Sequence, residues 1–331
     1  MDAASGTRAM DAEGLRARRE ARRRALRRRR ILALVAVVLA IAAIVVLATR
    51  GGGSSPASTS RATTPSAPAR SSSAHAGGQA ARAVAAAPGR RPGTDAIPIL
   101  MYHVIAAPPA AAPFPGLYVT PGEFAAQMQA LKNAGWHAVT LDQVRAYWRD
   151  GVPLGPGKPI VLTFDNGYQS QYTQALPVLQ RLGWVGDENI QLTGLPPSQG
   201  GLSSAQVRGL LAAGWELDTQ GISHADLITL DAGQLREQVA GARATLQRRY
   251  GVPVNWFCYP SGHYDATVIA AVREAGYVGS TTVVPGWAHT SEDPYRLHRL
   301  RVLGNTSPAA LLQLIADTRA NPPAPPSYNG T

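Results

Sequence analysis

The chain has 331 residues and a formal charge of +11, a balance that on its face suits a nucleic-acid partner. The distribution excludes that reading: residues 1–30 hold 11 Arg against 4 acidic residues, and residues 50–95 hold 6 Arg against one Asp. This leaves 15 basic and 16 acidic residues in 96–331, so that part has no basic field and is expected to bind no nucleic acid. Cys258 is the only cysteine, so an intrachain disulfide is impossible and the fold must rest on its own core.

Residues 1–30 end in Arg22-Arg23-Arg24 and Arg27–Arg30, a dense cationic segment. Ile31–Ala48 follows as 18 apolar residues without a charge. At about 1.5 Å per residue such a helix just spans a hydrocarbon core of about 30 Å. A cleaved signal peptide usually has a shorter apolar region, of roughly 7–15 residues. The expectation is therefore an uncleaved transmembrane anchor over 31–49, amino terminus cytoplasmic by the Arg excess, with everything beyond it extracytoplasmic. Residues 50–95, rich in Ala, Gly, Ser and Pro, read as a flexible tether, and the Pro-rich residues 321–331 as a disordered tail.

Between 96 and 320, strand-like and helix-like segments alternate. Ile97–His103 reads as a strand. Thr120-Pro121-Gly122-Glu123 combines an N-cap, a proline at the first helical position and a capping-box Glu, opening a helix to Ala134. Ala138–Leu141 and Ile160–Phe164 read as strands separated by a helix over Asp142–Arg149, and a helix is expected near Ser170–Leu182. Further strands are expected at Asn189–Thr193, Trp215–Asp218, Val254–Tyr259, Tyr277–Thr282 and His298–Leu303. The helices between them are capped by Ser203 or Ser204, by Asp231 with Gln234, and by Asp265; Ser307-Pro308 opens the last one. Repeated β-then-α units imply a parallel sheet with helices outside, and roughly eight strands favour an irregular (β/α) barrel.

The segment most suggestive of chemistry is Ile160–Tyr168, where an apolar strand breaks into Asp165-Asn166-Gly167. Polar groups at the carboxyl end of a parallel strand face the cleft, although the same residues also make an ordinary turn. His103, the Asp218–His224 loop and Tyr259–Tyr264 stand at comparable strand ends. His103 reads equally as a hydrogen-bonded core histidine, and Cys258 reads better as a small core residue than as a nucleophile.

Five stretches in this order resemble the polysaccharide deacetylase family (the chitooligosaccharide-deacetylase homology domain). They are Ile-Pro-Ile-Leu-Met-Tyr-His at 97–103, Leu-Thr-Phe-Asp-Asn-Gly-Tyr at 162–168, Ile-Ser-His-Ala-Asp-Leu at 222–227, Phe-Cys-Tyr-Pro-Ser-Gly at 257–262 and Arg-Leu-His-Arg-Leu-Arg-Val at 296–302. The resemblance implies an irregular (β/α) barrel and metal-dependent removal of acetyl groups from N-acetylated polysaccharide or peptidoglycan. It implies Asp165 as general base, and a divalent metal, zinc or cobalt, held by an Asp after the base and by two histidines spaced His-x-x-x-His. His224 matches the second histidine. Asn166 and Gln220 stand where the Asp and the first histidine belong, and Cys258 where many members carry an Arg near the base. His103, Asp218, Tyr259, Pro260 and Arg301 are expected around the pocket; for a general acid, His289 and His298 are the candidates. Two neutral amides in place of an anion and an imidazole favour weak or absent metal, and a catalytically silent domain that binds glycan or serves as a scaffold. An active deacetylase with ligands recruited from elsewhere, His103 or Asp218, is the other reading.

Overall fold

The computed structural model describes residues 90–195 and 200–320. The cationic segment expected at 1–30, the anchor at 31–49, nearly all of the tether and the tail at 321–331 lie outside these residues. Among the described residues, no helix is long and apolar enough to cross a membrane. The end of the expected tether is held: the Gly93 amide donates to Tyr147 O at 2.9 Å and the Trp148 indole N–H to Asp95 O at 2.9 Å.

Among the described residues eight strands form one sheet: β1 (Ile99–Tyr102), β2 (Trp136–Val139), β3 (Lys158–Asn166), β4 (Asp187–Ile190), β5 (Glu216–Thr219), β6 (Trp256–Cys258), β7 (Gly279–Thr281) and β8 (Leu300–Arg301). Every strand pair is parallel, in the order β7-β6-β5-β4-β3-β1-β8, with β2 on β3. Val161 faces Ile99 of β1 on one edge and Val139 of β2 on the other; from Thr163 onward β4 takes over the edge that β2 leaves. The residues leading into β8 bond back to the far end of the sheet. Leu297 N donates to Ser280 O at 3.0 Å, Thr282 N to Leu297 O at 2.9 Å, and Arg299 N to Val284 O at 3.0 Å. The sheet is thus curled upon itself with helices outside, consistent with the irregular (β/α) barrel expected from the alternation.

The helices start where side chains can satisfy free amides. Thr120 with Glu123, Thr140 with Gln143, Ser203 with Gln206 and Asp231 with Gln234 each make a reciprocal capping box. Left-handed Gly151, Gly183 and Gly251 end three helices. Period-two alternation in β3 sorts its side chains. Ile160, Leu162 and Phe164 pack outward with Leu100, Tyr102, Phe124, Met128 and Leu131. Val161 joins Ile99, Val139, Trp256 and Leu297 in a separate apolar cluster on the inner face. Thr163 and Asp165 continue that inner face, so the interior passes from an apolar floor to a polar mouth.

β4 departs from expectation, beginning at Asp187, two residues before the expected Asn189, and ending at Ile190. Asp187-Glu188 reads as loop because buried strands rarely carry adjacent carboxyl groups. Here all four strand residues are buried, with Asp187 and Asn189 on the inner face beside Thr163 and Asp165.

Candidate functional site

The carboxyl ends of the strands and the loops beyond them enclose a cleft of about 480 Å³. Of the residues singled out by sequence, His103, Asp165, Asn166, Gln220, His224, Tyr259 and Arg301 line it. Two do not. Asp218 is fully buried deeper in β5, where Oδ1 accepts from Trp256 N at 2.9 Å, and Pro260 is buried in the short turn Pro260–Gly262. The apolar wall is made by Val104, Leu117, Leu195 and Val283, with Phe114 at 69% exposure beside the opening.

Asp165 is held more tightly than its sequence context suggests. Arg299 clamps it with two near-parallel bonds, Nη1 to Oδ1 at 2.8 Å and Nη2 to Oδ2 at 2.9 Å, and the Asn189 amide donates to Oδ1 at 2.9 Å. Burial pushes this carboxyl up, but the Arg299 charge and hydrogen bonds, aided by His103 and Asn189, outweigh it and hold the pKa at about 2. The guanidinium itself is oriented by Thr163 Oγ1 at 2.9 Å and Thr282 O at 2.8 Å, and it also reaches Cys258 Sγ at 3.1 Å. The cation beside Asp165 therefore comes from the strand-closing segment, with the small Cys258 side chain in contact with it. Cys258 is buried, and burial pushes its thiol up to about 12, so it is no nucleophile at neutral pH.

His103 lies across the carboxylate from Arg299, with Nε2 3.9 Å from Asp165 Oδ2. Among the described residues its buried Nδ1 has no partner. Burial lowers its pKa first, Asp165 raises it, and Arg299, Arg301 and His224 lower it, for a result of about 4. His103 is thus neutral at pH 7. An NMR titration of the imidazole is expected to place its midpoint near pH 4. The folded state resists protonating a ring that the unfolded chain protonates at about 6.5. Stability present above pH 6.5 is then lost as pH falls from there toward 4.

The positions that the resemblance assigns to metal have a different chemistry. Asn166 and Gly167 both adopt positive φ, +82° and +86°, which turns the chain sharply after Asp165. A β-carbon on Gly167 would stand 2.6 Å from Ile190 Cγ1, so the turn also requires a bare backbone there. The Asn166 amide donates to Gln191 Oε1 at 2.7 Å, and Gln191 in turn donates to Thr193 O at 2.8 Å. Gln220 directs Nε2 toward Cys258 Sγ at 3.5 Å, while its Oε1 is buried without a donor. Burial lowers the pKa of His224, whose backbone is also left-handed at φ +51°. Around the expected metal position the chain offers one imidazole and two neutral amides, and the nearest carboxylate is committed to Arg299. Zinc sites of this kind need anionic and imidazole donors, and these residues do not fit one.

Sequence reasoning missed Arg299, Asn189 and Gln171. Gln171 is buried and donates to both His103 O at 2.9 Å and Asp165 O at 2.8 Å, tying two strand ends together. The unpaired strand-end carboxylate was a signal that some cation must approach it, and three Arg stand in 296–301. Of these, Arg301 is exposed on the cleft and Arg299 is the buried partner.

Comparison with known proteins agrees with this architecture. Residues 154–280 match the family model described as polysaccharide deacetylase. The chain is 28% identical over 216 residues to YxkH of Bacillus subtilis (strain 168), covering 65% of this chain and 74% of that one. A 58-residue stretch is 47% identical to the poly-β-1,6-N-acetyl-D-glucosamine N-deacetylase of Escherichia coli (strain K12), covering 18% of this chain and 8% of that longer protein. Among solved structures, the Streptococcus pyogenes deacetylase PplD in complex with acetate superposes with a TM-score of 0.61 at 27% identity, over 67% of this chain and 99% of that one. The polysaccharide deacetylase BC0361 from Bacillus cereus gives 0.60 at 26%, over 67% and 69%.

Proposed function

Because the chain carries a polysaccharide deacetylase domain, we propose that it is a membrane-anchored, extracytoplasmic protein that binds N-acetylated cell-wall or capsular glycan with little or no deacetylation. One observation carries this reading: both altered ligand positions hold amides in a polar, enclosed pocket, and neither supplies charge to a metal. The pocket is built to receive donors. Gln220 Oε1 and His103 Nδ1 are buried and unpartnered, and a buried acceptor left unpaired costs about 1–3 kcal/mol. A sugar hydroxyl or the N–H of an acetamido group satisfies such an atom, and the apolar wall suits the acetyl methyl. PplD, a relative in fold, is described as a deacetylase in complex with acetate, which supports an acetyl-sized recess in this kind of domain.

Calorimetric titration with N-acetylglucosamine oligomers, set beside the same oligomers fully deacetylated, tests the reading. Binding is expected for the acetylated series and lost for the other, with no acetate released. Equal affinity for both, or none for either, overturns it. Phe114 is the exposed aromatic at the opening, suited to lie against a sugar ring. Phe114→Ala is expected to weaken acetylated-oligomer binding severalfold, about 1 kcal/mol, with an unchanged melting temperature.

An active deacetylase is the second reading, and the Asp165–Arg299 clamp with His103 alongside is what favours it. The membrane part of the proposal rests on Ile31–Ala48 and the preceding Arg run. Amino-terminal sequencing of protein recovered from cells is expected to show residues 31–49 retained; a start near Gly51 overturns the anchor.

A further inference from the structure

We propose that the barrel interior holds a second, separate cation site, in which Asp187, Glu216 and Asp218 bind a hard divalent cation of the Ca²⁺, Mg²⁺ or Mn²⁺ class. The three lie on adjacent strands β4 and β5, with Asp187 in register with Glu216 and Asn189 with Asp218. One oxygen from each lies within 4.8 Å of the others. Trans oxygens around one cation at 2.3–2.6 Å stand about 4.6–5.2 Å apart and cis oxygens closer, so a single ion fits that spread.

Each carboxyl group is tethered from outside the cluster by one of its oxygens. Asp187 Oδ1 accepts from Leu141 N at 2.8 Å, Glu216 Oε2 from Asp142 N at 3.0 Å, and Asp218 Oδ1 from Trp256 N at 2.9 Å. Among the described residues the other oxygens, Asp187 Oδ2, Glu216 Oε1 and Asp218 Oδ2, are buried and meet no donor from outside the cluster. Burial and the repulsion of neighbouring carboxylates raise all three carboxyl pKa values, Glu216 to about 8, so without an ion the cluster shares protons that a cation would displace. Asp187 and Asp218 are wholly buried, so no water shell compensates them. Neighbouring Asn189, also wholly buried, spends its amide N–H on Asp165 and leaves its Oδ1 unpartnered too. The one further acid nearby, Asp142, is already used by Asn255 Nδ2 at 2.7 Å and Trp256 Nε1 at 3.1 Å. Among the described residues no Lys or Arg pairs with any of the three. Several buried oxygens, rigidly tethered and facing no cation of the chain, are what a bound ion would hold in place of the shared protons. With oxygen as the sole donor type, the site prefers hard ions over zinc.

The test is calorimetry and thermal unfolding of the EDTA-treated full chain with CaCl₂, MgCl₂ or MnCl₂ at neutral pH. One ion per chain is expected to bind with a Kd below about 10⁻⁴ M for at least one of the three. A hundredfold excess over Kd should raise the melting temperature by roughly 5–10 °C. Asp187→Asn with Asp218→Asn keeps the two backbone bonds through the amide oxygens while removing two charges, and is expected to abolish binding; Glu216→Gln, the milder change, should weaken it at least about tenfold. His224→Ala should leave it intact, which separates this site from the pocket. No heat and no melting shift with about 10 mM of any ion would overturn the site and leave a cluster that shares protons instead. Binding lost on His224→Ala but kept in the Asp187 and Asp218 variant would overturn it equally.

Discussion

Asn166→Asp combined with Gln220→His is expected to raise the affinity of the pocket for Zn²⁺ by more than about a hundredfold. Losing a mere outer hydrogen-bond partner of a metal ligand costs about 10–100-fold, and here two direct ligands are restored. The reason is charge and donor type together. His224 alone offers one imidazole, and Asn166 and Gln220 add two neutral oxygens, so dehydration of the ion is poorly repaid. The restored set has one anion and two imidazoles, with a position left for water. Local structure accommodates the change. Gln191 now accepts from the Asn166 amide, and by turning its own amide over it can donate to an Asp at 166. Each single substitution should do much less, because one restored ligand still leaves the site short. The measurement is zinc titration of the native protein, both singles and the double, with acetate release read on the same samples. Equal affinity in all four would contradict the assignment of these positions.

Arg299→Met is expected to lower stability by about 3–5 kcal/mol, because it leaves the Asp165 carboxylate buried with its counter-charge removed. For a domain of this size that is a fall of roughly 6–20 °C in melting temperature. Asp165→Asn added to it should recover much of the loss, since no unpaired charge then remains. The pH dependence follows from the direction of the shift. Asp165 is held below its usual 3.8, at about 2, so its contribution is complete above the unfolded value and is lost as pH falls through the folded one. In the Arg299→Met protein burial dominates, the carboxyl pKa rises, and that acid limb disappears. A fall under about 2 °C would mean that the clamp is not a structural bond.

The outer architecture was legible because it depends on local rules. Thr120-Pro121-Gly122-Glu123 and Asp231 with Gln234 announce helix starts by chemistry confined to four residues, and both helices begin there. Asp165 could be placed at a strand end because an apolar run stops at it. The interior was less legible because it is polar where a buried strand is ordinarily apolar. Asp187 and Glu188 read as loop, and only the curling of the sheet turns Asp187 inward. Arg299 was hidden for a related reason: its partner is 134 residues away, and Arg296 and Arg301 beside it look alike in sequence. Asp218, expected at the pocket, belongs to the interior layer below, a distinction of depth along one strand that spacing cannot resolve.

The most direct test of the central claim, that this deacetylase-like pocket binds glycan without holding zinc, is zinc content measured beside acetate release. The purified native protein is loaded with zinc, desalted, and assayed on N-acetylglucosamine oligomers, with His224→Ala carried in parallel. Zinc far below one per chain, unchanged by His224→Ala, together with oligomer binding and no acetate, is the predicted result. Near-stoichiometric zinc that is lost on His224→Ala and accompanied by turnover would contradict it.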